Sequence, residues 1–346
     1  MPKKRVTSGM RPTGSLHLGN LYGALNNWIA LQDDYDCYYF IVDWHALTTP
    51  GGGNAVGYEN LEALNRNIWE MALDWISAGL DPGKSAIFVQ SHVPEVAELH
   101  LLFSMVTPLG WLERNPTYRE MVQSYRIESP SYGLLGYPTL QSADILLYKG
   151  DYVPVGRDQE AHVNMTRDLA QRFNSMYGKQ VFPITETLLT EVPKVPGLDG
   201  VDRKMSKSAG NYIALSFSEK ETTAKIREMF TDPQKIRKND KGHPEGCVVY
   251  AFHNIYSLAV LESIRTECEG GDRGCVDCKM ELADRMNGAL SPIRERRVEL
   301  EGQPGLIVEI LTDGAARAGK IARSTMEEVR DIMHLSSKEL FDVSKG

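Results

Sequence analysis

Residues 202–211 read Asp-Arg-Lys-Met-Ser-Lys-Ser-Ala-Gly-Asn. Lys204 and Lys207 stand three apart among serines and glycine, and Met205 is the one large apolar side chain. A segment this polar is not expected to anchor itself in a core, which raises the question of what charge its two ammonium groups meet. A second group is His17-Leu18-Gly19-Asn20. Gly14 and Gly19 let a ligand approach the backbone closely, and a helix starting there offers free N–H groups and a positive dipole end to an anion. His17 and Asn20 add side-chain donors; the plainer alternative is a glycine turn with a capping asparagine. A third group is Cys247-x20-Cys268-x6-Cys275-x2-Cys278, set among Gly, Asp and Glu. Core thiols fall on apolar stripes, whereas four reduced cysteines that close on one another can hold Zn²⁺ or an iron–sulfur cluster. Their spacing does not choose between the two.

The elements that must position these groups alternate along the first 190 residues. KRVTSGM reads as a strand running into a Gly-Pro-Gly loop, and NLYGALNNWIALQ follows with Leu21, Leu25, Trp28 and Ile29 at helical spacing. CYYFIVDWHALTT is expected to be a buried strand ending at Asp43–His45. NLEALNRNIWEMALDWISAGL predicts a long helix stopped by Gly79 and Asp81-Pro82, and SAIFVQS the next strand. Such alternation predicts an α/β fold with an open, Rossmann-like parallel sheet, whose ligands gather at the carboxyl ends of the strands. After about residue 210 the pattern turns helical, beginning with a capping box at Ser218 and Glu221. The expected division is a catalytic domain over 1–210, including the lysine loop, and a helical domain over 211–346 carrying the cysteines.

The chain has 346 residues, 42% hydrophobic and 24% charged, with net charge −8. That length supports a large core and two domains, and the acidic balance argues against a nonspecific nucleic-acid coat. Local basic runs, KIRKNDK (235–241) and RERR (294–297), are expected as solvated faces or RNA contacts. The basic start lacks an apolar stretch of signal-peptide type, and the apolar runs are too short to span a bilayer. A cytoplasmic protein with no membrane contact is expected, so a disulfide framework is not.

The pairing and order of the histidine and lysine segments resemble the HIGH and KMSKS signatures of class I aminoacyl-tRNA synthetases, with Asn20 in place of the last histidine. RPTGSLHLGNLYGAL, FIVDWHALTT, LQSADILLY and VPVGRDQEAHVNMTRDLAQRFN together look like the tryptophanyl-tRNA synthetase family. The resemblance covers almost the whole chain. It implies a C-terminal anticodon-binding domain, ATP with Mg²⁺, L-tryptophan and tRNA(Trp) as reaction partners, and a homodimer. It makes His17, Asn20, Lys204 and Lys207 catalytic and assigns Arg11, Pro12, Thr13, Gly19 and Asn20 to ATP, and Gly156, Arg157 and Asp158 to the nucleoside; Arg157 stands where an acidic residue is usual. Val195 corresponds to an adenine contact, and Lys204, Met205, Ser206, Lys207 and Ser208 to the loop that closes over pyrophosphate. Asp144 corresponds to the acceptor for the indole N–H, with Tyr137, Gln141, Val153 and Val155 around the ring and His45 and Gln159 orienting the amino and carboxylate groups. Gln141 stands where many relatives carry methionine. PEGCVVY…CEGGDRGCVDCK resembles the subgroup with a [4Fe–4S] cluster in the helical domain, so the resemblance favours that cluster over Zn²⁺ on Cys247, Cys268, Cys275 and Cys278.

Three other readings share some of these features. A tyrosyl-tRNA synthetase would need a pocket for a phenol hydroxyl. A small-metabolite nucleotidylyltransferase shares the His-x-Gly turn but leaves the helical domain without a role. A non-catalytic paralogue that binds RNA or tryptophan is at odds with intact His17, Asn20, Lys204 and Lys207.

Overall fold

The structure is a computed structural model that describes residues 2–51, 56–124, 126–156, 160–189 and 195–336. Among the described residues the main sheet has five parallel strands: β1 (Arg5–Met10), β2 (Asp36–Ile41), β3 (Ser85–Val89), β4 (Tyr152–Val155) and β5 (Glu186–Leu189). Their order is β3-β2-β1-β4-β5. Val6 of β1 pairs with Cys37 on one side and Tyr152 on the other. The strand order reverses between β1 and β4, which opens a crevice at their carboxyl ends. β2 is buried on both faces from Cys37 to Ile41, hence its unbroken apolar run rather than an alternation.

The helices cover both faces. α1 spans 18–31: a short start at Leu18–Asn20, a π-helical turn at Leu21–Leu25 and regular α-helix over Asn26–Leu31. Trp28 on α1 stacks on Tyr39 of β2 at 4.6 Å between ring centroids. α2 (Leu64–Ala78) stops at Gly79, whose φ of 121° is open to glycine and strained for other residues. α3 (Glu95–Val106), α4 (Tyr132–Leu146) and α5 (Glu160–Tyr177) follow, and Ser131 caps α4 by accepting the Leu134 N–H.

β2 ends at Ile41, short of the expected end at Asp43–His45. Asp43–Ala46 instead makes one helical turn, with the Asp43 carboxylate accepting the Ser91 N–H at 3.1 Å. A small antiparallel hairpin, β6 (Pro196–Gly197) and β7 (Gly200–Lys204), then leads into the lysine segment. From there the described chain is helical: α6 (Glu219–Glu228), α7 (Val248–Tyr256), α8 (Leu261–Gly270), α9 (Cys275–Glu301) and α10 (Pro304–Ile332). The expected capping box is present, Ser218 and Glu221 bonding each other reciprocally.

α10 returns to the α/β half. Its Ala318, Ala322, Met326 and Val329 share a buried cluster with Phe88, Phe103 and Tyr148. At Gly314 the helix meets the edge strand β3 so closely that a Cβ would run into the Ile87 backbone. The helix thus covers a sheet edge that would otherwise be open to pairing. A second cluster joins Leu16, Leu18, Trp28 and Trp75 to Met205, Ile213, Phe252 and Met286, so one core underlies both the histidine turn and the first helices after residue 210. No helix among the described residues is long and apolar enough to cross a membrane.

Candidate active site

A cavity of about 410 Å³ opens at the carboxyl ends of β1, β2 and β4. Arg11, His45, Tyr137, Gln141, Asp144, Val153, Val155 and Gly156 all line it, together with Gly9, Gly23, Ala24 and Met121. Most are there because a strand ends beside the crevice or because α4 turns one face toward it. The π-helical turn in α1 brings Gly23 and Ala24 to the rim, and such turns are frequent at functional sites.

Asp144 is 2% exposed. Its Oδ2 lies 3.0 Å from His45 Nε2, and Gln90 Nε2 donates to both carboxylate oxygens at 2.7 and 2.8 Å. Burial pushes the Asp144 carboxyl up from its ordinary range, against the opposing pull of His45 and Gln90. Gln90 is held in turn by taking the Trp44 N–H on its Oε1 at 3.1 Å. Sequence reasoning missed Gln90; the available signal was a polar residue directly after the apolar strand AIFV. Tyr137 is buried, meets the His45 ring edge-on at 6.3 Å and donates its hydroxyl to Asn115 Oδ1 at 3.4 Å. Burial raises its pKa to about 12, so it remains a neutral donor.

The histidine turn lies on the same side. Asn20 Oδ1 accepts the His17 backbone N–H at 3.1 Å. Leu18 N–H donates to Ile213 O and Leu215 N–H to Leu16 O, pinning the turn to the segment after the lysines. Burial, then Lys207 and Lys204, bring the His17 pKa down to about 4, so its ring is neutral at pH 7. His17 Nδ1 is buried at the start of α1, in the capping arrangement that His17 and Asn20 make with each other. The ring also explains Gly19, where a Cβ would sit 2.9 Å from it. Pro12 is buried and its carbonyl accepts from Asn67; Thr13 is exposed.

The lysine segment is better anchored than its composition suggests. Met205 is 3% exposed and belongs to the core cluster, on which Val195 also packs. Asn211, not singled out from the sequence, organises the turn: its Oδ1 accepts the Ser206 N–H at 2.8 Å and its Nδ2 donates to Lys204 O and Asp199. Ser206 and Ser208 bond each other at 2.7 Å. Lys204 and Ser208 are exposed; Lys207 is half-buried and donates to the Thr13 carbonyl at 2.7 Å. The structure therefore brings the lysine segment onto the histidine turn. Arg157, Asp158 and Gln159 lie outside the described residues.

The four cysteines line one small cavity of about 30 Å³ with Lys235, Tyr250 and Arg273. Cys247 precedes α7, Cys268 ends α8, and Cys275 and Cys278 occupy the first turn of α9. All four are free thiols, and burial pushes Cys278 up to about 11. Among the described residues no group of three or more His, Cys, Asp or Glu side chains is gathered as a ligand set for a metal ion. The basic runs form solvated faces only in part: Arg237, Lys238, Lys241 and Arg296 are exposed, but other members are not. Lys235 is buried, Arg294 donates to Phe217 O at 2.8 Å, and Arg297 is 6% exposed within an ion-pair network.

Residues 2–291 match the family model described as tRNA synthetases class I (W and Y). The tryptophan–tRNA ligase of Thermotoga maritima is 45% identical, over 96% of this chain and 99% of that one; that of Aquifex aeolicus is 41% identical, over 96% and 100%. The tryptophanyl-tRNA synthetase of Campylobacter jejuni, solved with ADP and tryptophan, superposes with a TM-score of 0.84 at 33% identity, covering 95% of this chain and 99% of that one. A tyrosyl-tRNA synthetase from Archaeoglobus fulgidus shares the fold at a TM-score of 0.63 and 22% identity.

Proposed function

The chain belongs to the class I tRNA synthetases of the tryptophan and tyrosine branch, it has the activity of a tryptophan–tRNA ligase, and we propose how its own residues carry that activity. The tryptophan carboxylate attacks the α-phosphorus of ATP, the bond to the β,γ-diphosphate breaks, and pyrophosphate leaves. The tryptophanyl group then passes from the adenylate to the terminal ribose of tRNA(Trp). Neither step requires a protein nucleophile, so the residues act by positioning and by charge.

The observation that carries the choice of amino acid is Asp144, a buried carboxylate facing an otherwise largely apolar cavity. It accepts the indole N–H; a ring without that donor leaves the acceptor unpaired. His45 and Gln90 fix the carboxylate, and Tyr137, Gln141, Val153 and Val155 enclose the ring. Gln159 and His45 orient the amino and carboxylate groups. Arg11, Pro12, Thr13, His17, Gly19 and Asn20 hold the ATP phosphates, His17 as a neutral donor. Gly156, Arg157, Asp158 and Val195 hold the nucleoside. Lys204 and Lys207, framed by Met205, Ser206 and Ser208, meet the charge that grows on pyrophosphate. Mg²⁺ accompanies ATP as its counter-ion.

We propose that residues 1–210 form the catalytic domain and 211–346 a helical domain that reads the anticodon. The four thiols border one small cavity but are not gathered as a ligand set, so the proposal of a [4Fe–4S] cluster rather than Zn²⁺ there rests on the subgroup resemblance, and binding would have to draw them together. Held by Cys247, Cys268, Cys275 and Cys278, it would supply cross-linking of the surrounding loops. A homodimer is supported by Leu101 and Met105, one turn apart on α3, with Leu109 and Tyr132, all exposed apolar side chains. Charging of a tRNA(Trp) transcript with tryptophan and with tyrosine tests the reading: tryptophan alone should be attached. Attachment of tyrosine at comparable efficiency would contradict it.

A further inference from the structure

Arg297 lies on α9, far along the chain from the histidine turn, yet it is connected to that turn through two carboxylates. Its guanidinium pairs with Asp74 and Glu70, both on α2, and its Nε reaches Glu301 at 3.0 Å. Asp74 is fully buried, and its second oxygen accepts the Leu16 N–H at 2.5 Å. Glu70 accepts the Ser15 hydroxyl at 3.0 Å. One turn earlier on α2, Asn67 donates to the Pro12 carbonyl at 3.2 Å. Positions 67, 70 and 74 share one helical face, so this polar stripe grips residues 12–16 just ahead of His17. Lys207, itself bonded to the Thr13 carbonyl, feels the negative charge of Asp74 and Glu70.

We infer that Arg297 is a positioning residue for adenylate formation: by neutralising Asp74 and Glu70 it holds Ser15 and Leu16 in place and leaves Lys207 available to the phosphates. The inference rests on the assignment of the histidine turn and Lys207 to ATP. A buried carboxylate pair deprived of its guanidinium must take up a proton or draw on another cation, and Lys207 already feels their charge. Either response changes the turn or the lysine. It does not reach the tryptophan cavity, since none of Arg297, Asp74 and Glu70 lines that cavity.

The test compares Arg297→Met, Arg297→Lys and the triple variant Arg297→Met/Asp74→Asn/Glu70→Gln by tryptophan-dependent ATP–pyrophosphate exchange, with thermal melting of each. Misplacement of a reacting group by a distant change costs up to about 100-fold. Arg297→Met should therefore lower kcat/KM for ATP by about 10- to 100-fold, with KM for tryptophan within about twofold of wild type. Arg297→Lys should fall between, because one ammonium cannot bridge two carboxylates as a guanidinium fork does. The triple variant keeps the acceptors for Ser15 and Leu16 without the charge and should recover most of the loss. Unchanged ATP kinetics in folded Arg297→Met would overturn the inference, as would parallel rises in both KM values left unrepaired in the triple variant. If Arg297→Met does not fold, unchanged ATP kinetics in Arg297→Lys overturn it equally. A wild-type chain with no tryptophan-dependent exchange would instead overturn the functional assignment on which the inference rests.

Discussion

At the scale of residues, the proposed chemistry depends on charge held ready beside a phosphate. Burial lowers the Lys207 pKa to about 8, while Asp74 and Glu70 pull it back up. The ammonium is charged below that pH and is lost as pH rises through it. Because kcat/KM reports the free enzyme, its value for ATP should decline above about pH 8. Lys207→Arg, whose guanidinium stays charged, should lose that limb; a wild-type profile level to pH 10 would count against the role. Lys207→Ala should lower kcat for adenylate formation far more than it raises KM for tryptophan, by ~2–4 kcal/mol as for other preorganised charge stabilisers. Steady-state exchange kinetics separate the two constants. Asp144→Ala removes the acceptor for the indole and for Gln90, so kcat/KM for tryptophan should drop while KM for ATP holds; a loss of ~1–3 kcal/mol matches an unpaired buried donor. Unchanged tryptophan kinetics would remove Asp144 from the indole site. His17, Asn20 and the lysines stood out in the sequence because their residue types are unusual for their surroundings, and Asp144 through the family resemblance. Gln90, Asn211 and Arg297 did not, since their work is to hold another residue and is visible only in the partner. Arg297 and Asp74 are 223 positions apart, and a basic run read by itself looks like solvated surface.

At the scale of elements, β1, β2 and β3 were legible from apolar runs and α1, α2 and the later helices from period and caps, but the short β4 and β5 and the hairpin of β6 and β7 were not, and the places where an element stops were less legible still. CYYFIVDWHALTT stays largely apolar past Ile41, yet the strand ends there: the Ala46 N–H turns back to the Val42 carbonyl at 3.3 Å, and Asp43 is tied to the Ser91 N–H. Composition suggested a lysine segment free of the core; one buried methionine and the hydrogen bonds of Asn211 hold it instead. The π-helical turn in α1 has no simple sequence signature, since its residues fit an ordinary helix equally well. The cysteine segment is where an element's order is proposed to depend on a metal. Cys275→Ser should abolish iron and acid-labile sulfide, about four of each per chain in anaerobically prepared protein if the cluster is [4Fe–4S]; a colourless protein with one zinc would favour Zn²⁺. Because the cysteine cavity shares no lining residue with the cavity proposed for tryptophan, pyrophosphate exchange should survive the substitution better than tRNA charging. Equal loss of both in a soluble, folded variant would place the effect on the catalytic half or on overall stability.

At the scale of the whole molecule, sequence pattern foretold the parallel sheet and the later helices but not how they share a core. Leu16 and Leu18 of the histidine turn lie in one cluster with Phe252 and Met286, and α10 lies along β3. Such packing has no local signature, because the partners are distant in sequence and each reads only as a buried residue. It also means that a change in the helical half can reach the histidine turn through the core as well as through the proposed Arg297 link. The central claim is that the crevice between β1 and β4 activates tryptophan on ATP. Tryptophan-dependent exchange of pyrophosphate into ATP on the wild-type chain, with tyrosine as the control, tests it most directly. The account predicts rapid exchange with tryptophan and little with tyrosine. Exchange that is absent with both amino acids, or faster with tyrosine, would contradict it.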